Sequence, residues 1–79
     1  MREKTIKTIV SFACTSDAMA MESSAQEKGF PGRLIPVPSE ITAGCGLAWC
    51  ADENHRQAVL NALDVFELVH EGVYEVEMY

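Results

Sequence analysis

Positive charge is scarce in this chain: six lysines and arginines stand against twelve aspartates and glutamates, for a net charge of −6. The shortage is uneven. Residues 1–33 carry five basic and four acidic side chains, whereas residues 34–79 carry one and eight. A nucleic-acid binder needs a basic stripe to meet phosphate, and only a scatter of Arg2, Lys4 and Lys7 is present, so that class is set aside. Cysteine is scarce too. Three cysteines, an odd number at irregular spacing, do not form a disulfide framework. No CxxC pair or Cys/His run supplies four zinc ligands, so neither a metal nor another cofactor is expected. No stretch approaches the roughly 18 apolar residues of a membrane span. Repeats, low-complexity tracts and linkers are also missing, and 79 residues suffice for one small core, so the chain reads as a single domain, 1–79. The N-terminus shows early positive charges and an Ala18-Met19-Ala20 resembling a cleavage site. Its apolar run, residues 9–14, falls short of a signal sequence's apolar core of about 7–15 residues and is followed by Asp17, so a cytoplasmic, reducing setting is expected.

What is present is 48% hydrophobic and 23% charged, the balance of a chain that folds. Residues 5–13 are rich in β-branched and aromatic types, with Ile6, Thr8, Val10 and Phe12 on one face, and predict a first strand. Thr15, Ser16 and Asp17 offer oxygens to cap a helix that runs to Lys28 with Gly29 as its stop; Ala18, Met21 and Ala25 give its thin apolar stripe. Pro31-Gly32 predicts a turn, followed by a short strand over Leu34, Ile35 and Val37. Pro36 lies inside it and cannot donate to a ladder, which predicts an edge position. Residues 47–51 read as a third strand. Asp52 then caps a second helix whose Val59, Ala62, Leu63 and Phe66 recur at helical spacing. Residues 68–79 read as the last strand, with Tyr74, Val76 and Met78 on one side and Glu71, Glu75 and Glu77 on a wet face.

The order β-α-β-β-α-β is the split βαβ arrangement of an α+β, ferredoxin-like fold, a four-stranded antiparallel sheet with two helices on one face. Its second strand lies at the sheet edge, which Pro36 satisfies independently. In this topology the first and second strands end, and the third and fourth begin, at one end of the sheet. Cys14, the Gly44-Cys45-Gly46 bend and His70 all fall there.

Cys45 follows one glycine and precedes another, so little steric cover surrounds its sulfur and unusual backbone angles are permitted. Helix N-termini and imidazolium groups favour the nucleophilic thiolate in general. Cys14 adjoins a helix start, but Asp17 sets a carboxylate beside it, which leaves Cys45 as the reactive residue and Cys14 as a second thiol. Cys50 reads as core filler: five strand steps of about 3.3 Å put it roughly 17 Å from Cys45, on the opposite face and beyond disulfide reach. His70 reads as a partly exposed strand residue near the thiol end, and His55 as a solvated one. Met19 and Met21 read as helix packing. Trp49 serves either the core or a partner contact.

The string PGRLIPVPSEITAGCGLA, residues 31–48, resembles a small bacterial selenium/sulfur carrier protein-like family. The likeness extends from SDAMAMES at the first helix to EGVYEV near the C-terminus. The resemblance implies a carrier that holds sulfur or selenium on Cys45 as a persulfide or perselenide. Gly44, Gly46 and Leu47 would then flank the loaded thiol, with His70 near it. It also implies a cysteine desulfurase or selenium-metabolism protein as partner. Such a carrier needs no acid/base pair around a substrate pocket, and none is evident here, so a self-sufficient enzyme is not the expectation. Two other readings remain open: a ferredoxin-like binding or regulatory module, with or without a homodimer, and a redox switch between Cys14 and Cys45.

Overall fold

The computed structural model describes residues 5–39, 41 and 46–78. Strand β1 (Thr5–Ser11) leads into helix α1 (Thr15–Lys28), strand β2 (Arg33–Pro36) and strand β3 (Leu47–Asp52). A 3₁₀ turn (Glu53–His55), helix α2 (Arg56–Val65) and strand β4 (Gly72–Met78) follow. The sheet order is β2-β3-β1-β4, with every neighbouring pair antiparallel. This is the expected α+β, ferredoxin-like arrangement. Pro36 ends the edge strand β2 opposite Leu47, so its missing N–H removes no bond from the middle of the sheet.

Alternation along the strands divides the side chains between two faces. Val10 and Phe12 of β1 and Trp49 and Ala51 of β3 point toward the helices. There they meet Ala18, Met21 and Ala25 of α1 and Val59 and Leu63 of α2. The α1 stripe is the one its spacing predicts, and both helices lie on that face. Trp49 is 2% exposed and belongs to this core, its indole N–H donating to the Pro31 carbonyl at 3.1 Å. Phe30, just past α1, sets its ring edge against Trp49 and stacks on Phe66. Of the two methionines read as packing, Met21 is fully buried and Met19 is half exposed.

Among the described residues the opposite face carries no helix, yet Ile9, Ala48, Cys50 and Val76 are buried on it. Ile41, from the β2–β3 connection, packs against them and is itself 6% exposed. A turn, Ile41 N–H to Pro38 carbonyl at 3.0 Å, brings it back over the sheet.

Both helix starts differ in detail from expectation. The N-cap of α1 is Cys14, in extended conformation and with no side-chain cap bond, so Thr15, Ser16 and Asp17 form the first turn instead. Asp52 stands at the N-cap position of the 3₁₀ turn with no side-chain cap bond, and α2 proper begins four residues later at Arg56. Helix α1 stops at Gly29, whose left-handed conformation lets its N–H reach the Ala25 carbonyl at 2.8 Å. Helix α2 stops differently. Glu67 takes a positive φ of 51°, Leu68 N–H closes on the Leu63 carbonyl at 3.0 Å and Glu67 N–H on that of Asp64 at 3.3 Å. This double closure consumes residues 66–68, and β4 starts at Gly72 rather than at residue 68. Along β4 the predicted alternation holds: Val76 is buried against the helix-free face, while exposed Glu75 meets Arg56 of α2 at 3.1 Å.

Candidate functional site

Register locates the end of the sheet where the sequence gathers its thiols. Ser11 lies opposite Ala48 on one side and Gly72 on the other, and Pro36 lies opposite Leu47. The exits of β1 and β2 and the entries of β3 and β4 therefore share one end. Two bonds extend the ladders past the strands: Glu71 N–H to the Ser11 carbonyl at 2.7 Å, and Val37 N–H to the Gly46 carbonyl at 3.0 Å. The second pins both ends of the segment that contains Cys45.

Cys14 is exposed and unpaired by disulfide. Its carbonyl accepts the first helical N–H groups, from Asp17 at 3.2 Å and Ala18 at 3.4 Å. Its thiol donates to Asp17 Oδ2 at 3.2 Å and lies 3.3 Å from Ser16 Oγ. The carboxylate expected beside this sulfur is thus its direct partner. Cys45 and Gly44 lie outside the described residues.

Gly46 is exposed and adopts φ 75°, a left-handed conformation that glycine reaches without the penalty an L side chain incurs. A Cβ placed there would meet no atom of the described residues within 4 Å apart from its chain neighbours, so they leave space open beside Gly46. Leu47 starts β3 and is half-buried against the helix-side core, anchoring the far end of that segment.

His70 shares this end of the sheet but is not a strand residue, because the closing turn of α2 delays β4. Its Nδ1 donates to the Leu68 carbonyl at 3.0 Å. The ring lines a shallow groove of about 240 Å³ with Leu60, Leu63, Asp64 and Val73, on the α2 side. Cys14 and His70 thus stand at one end of the sheet while each bonds within its own segment.

Cys50 behaves as the core filler expected of it. It is 9% exposed, and burial pushes its thiol above the ordinary cysteine range, against the opposing pull of Lys7 and Arg33. It borders a concavity that the sequence reading passed over. At the other end of the sheet Lys7, Arg33, Asp52 and His55 surround about 450 Å³ of space on the helix-free face. A signal for it was available: Arg33 follows Gly32 and precedes a strand with apolar residues on both faces, so the arginine starts an edge that alternation aims away from the helices.

Among the described residues no group of three or more His, Cys, Asp or Glu side chains converges to hold a metal ion. No helix in that set is long and apolar enough to cross a membrane. With this geometry in place, the chain matches over residues 7–75 the family described as "Putative Se/S carrier protein-like", and it belongs to that family. No curated protein and no solved structure matches it.

Proposed function

We propose that this protein carries sulfur or selenium as a persulfide or perselenide on Cys45. The observation that carries the reading is family membership across residues 7–75, a span that includes the Gly44-Cys45-Gly46-Leu47 string. The structure supports it in what surrounds that string: a clamp between Val37 and Gly46, a half-buried anchor in Leu47 and open space at Gly46. A carrier asks for a thiol on a segment held at both ends by a rigid sheet, with room for two larger proteins to approach it in turn.

The transfer balances without an outside oxidant. The Cys45 thiolate attacks the outer sulfur of a donor persulfide, and a new S–S bond forms as the donor's own S–S bond breaks. The donor cysteine leaves with the electron pair and takes up a proton. An acceptor nucleophile later attacks the same outer atom and Cys45 departs as thiolate. A cysteine desulfurase, or a protein of selenium metabolism, is the donor class this chemistry requires, and Cys14 is the second thiol at the same sheet end.

Intact-protein mass spectrometry after incubation with a cysteine desulfurase and either cysteine or selenocysteine tests the proposal. The expected product is a gain of one chalcogen atom, removed by a thiol reductant, absent in Cys45→Ser and retained in Cys14→Ser. A gain that persists in Cys45→Ser, or wild-type protein that stays unloaded while Cys45 remains fully alkylatable, would overturn it.

A further inference from the structure

The Gly-Arg-Leu-Ile-Pro string belongs to the segment that carries the family resemblance, yet nothing in sulfur transfer at Cys45 uses its arginine. Gly32 has φ 120°, and a Cβ there would fall 2.1 Å from Trp49 Nε1 and 2.9 Å from the Cys50 carbonyl oxygen. Backbone therefore lies directly on the Trp49 ring, and only glycine fits. That contact fixes the start of β2, placing Arg33 opposite Cys50 in the ladder, on the helix-free face.

Arg33 lines the cavity of about 450 Å³ together with Lys7, Ile35, Cys50, Asp52 and His55. The other described lysines and arginines are committed: Lys7 to Asp52, Lys28 to Glu27, Arg56 to Glu75. Among the described residues Arg33 has no carboxylate partner. In a chain of net charge −6 an uncommitted guanidinium at a concave surface is unusual. Its planar fork suits a carboxylate bidentately. Asp52 pairs with Lys7 and also feels the charge of Arg33, so two permanent cations and one carboxylate leave the cavity one net positive charge, which matches a monoanion better than a phosphate dianion. Ile35 and Pro31 supply apolar wall beside it. The cavity is of the size of small-molecule sites, with polar and charged groups on one part of its wall and apolar surface on the rest.

We propose that the Arg33 cavity binds a small monocarboxylate, its head on the guanidinium and a short apolar body along Ile35 and Pro31. The site is separate from the carrier thiol. From Leu47, beside the Cys45 segment, to Asp52, at the cavity, β3 advances five steps of about 3.3 Å, on the order of 17 Å. The proposal therefore stands or falls independently of sulfur transfer.

Backbone amide NMR of the full chain, titrated with hexanoate at constant ionic strength, reads the site directly. Saturable shifts are expected at residues 32–35 and 51–55, weakened about tenfold or more in Arg33→Gln and unchanged in Lys28→Gln. Loss of a single exposed side chain on an edge strand leaves the fold intact, and the dispersion of the same spectra verifies that. Absence of saturable shifts, equal binding by Arg33→Gln, or inorganic phosphate shifting the same amides as strongly as hexanoate would each overturn the assignment.

Discussion

Ile9 and Phe12 stand three residues apart in and just beyond β1, and both are fully buried, yet different things cover them. Phe12 lies under two helices, among side chains from α1, α2 and β3. Ile9 lies on the face without helices and is shielded by its strand neighbours, by Ile41 and by half-buried Val37, both from the β2–β3 connection. The helical cover is built from repeating spacing and is redundant, because losing one contact leaves several others. The other cover rests on a turn closed by one backbone bond. That turn precedes Cys45 in the sequence, so packing of the sheet's second face draws on the stretch of chain that leads to it.

The largest effect should come from breaking the helical side. Phe12→Ala removes a fully buried ring, with an expected cost of about 3–5 kcal/mol, a large share of the roughly 4–12 kcal/mol typical of a domain this size. Ile41→Ala should cost nearer 2 kcal/mol, at the low end for such truncations, because fewer neighbours surround it. Urea-denaturation midpoints at constant slope provide the measurement, with Phe12→Leu standing in if the alanine variant does not fold. A second readout separates the covers: Ile41→Ala should speed alkylation of Cys50 in native buffer, whereas Phe12→Leu should not. Equal costs with unchanged Cys50 alkylation would erase the distinction between the faces.

A smaller effect of opposite sign is expected within the helix-covered face. Thr8 is fully buried, and its Oγ1 has no hydrogen-bond partner among the described residues. A hydroxyl taken out of water without a partner is destabilising by about 1–3 kcal/mol, and valine keeps the branched shape and the strand preference. Thr8→Val should therefore raise stability by about 1 kcal/mol, seen as a higher urea midpoint. A lower midpoint would mean that the hydroxyl does find a partner, and that this core is wetter than its apolar neighbours suggest.

The sequence disclosed the helix-covered face far better than the other. Ala18, Met21 and Ala25 recur at helical spacing, and Pro36 marked the edge strand, so element order and sheet topology followed from local signals. Ile41 offered no such signal. A lone isoleucine in a polar loop has no period, and its burial depends on where the loop returns, which is a tertiary fact. The thiol end was legible as topology, since β1 and β2 must exit together, but His70 was placed on a strand because nothing in Glu67 announces a left-handed residue. The Arg33 cavity stayed hidden for a related reason: its walls come from four elements distant in sequence, and only the ladder brings Arg33 opposite Cys50.

The smallest effect should come from the rim of that cavity, where Lys7 and Asp52 pair across β1 and β3. Asp52 has its carboxyl held below the usual carboxylate range, chiefly by the hydrogen bond and charge of Lys7. A carboxylate whose value is depressed by folding contributes stability that is fully present above the unfolded value, about 3.9, and is lost as pH falls through the lower folded value. Asp52→Asn should therefore lower stability slightly near neutral pH, match wild type at the acid end where both side chains are uncharged, and so flatten the decline below about pH 4. Because Asp52 is exposed to solvent, about 1 M salt, with a screening length near 3 Å, should bring wild type and variant together on the acid limb. Urea midpoints between pH 2 and 5 at low and high salt measure both. Identical acid limbs at low salt would show the pair to be a surface contact without consequence, and Lys7 would then join Arg33 as a second available cation at the cavity.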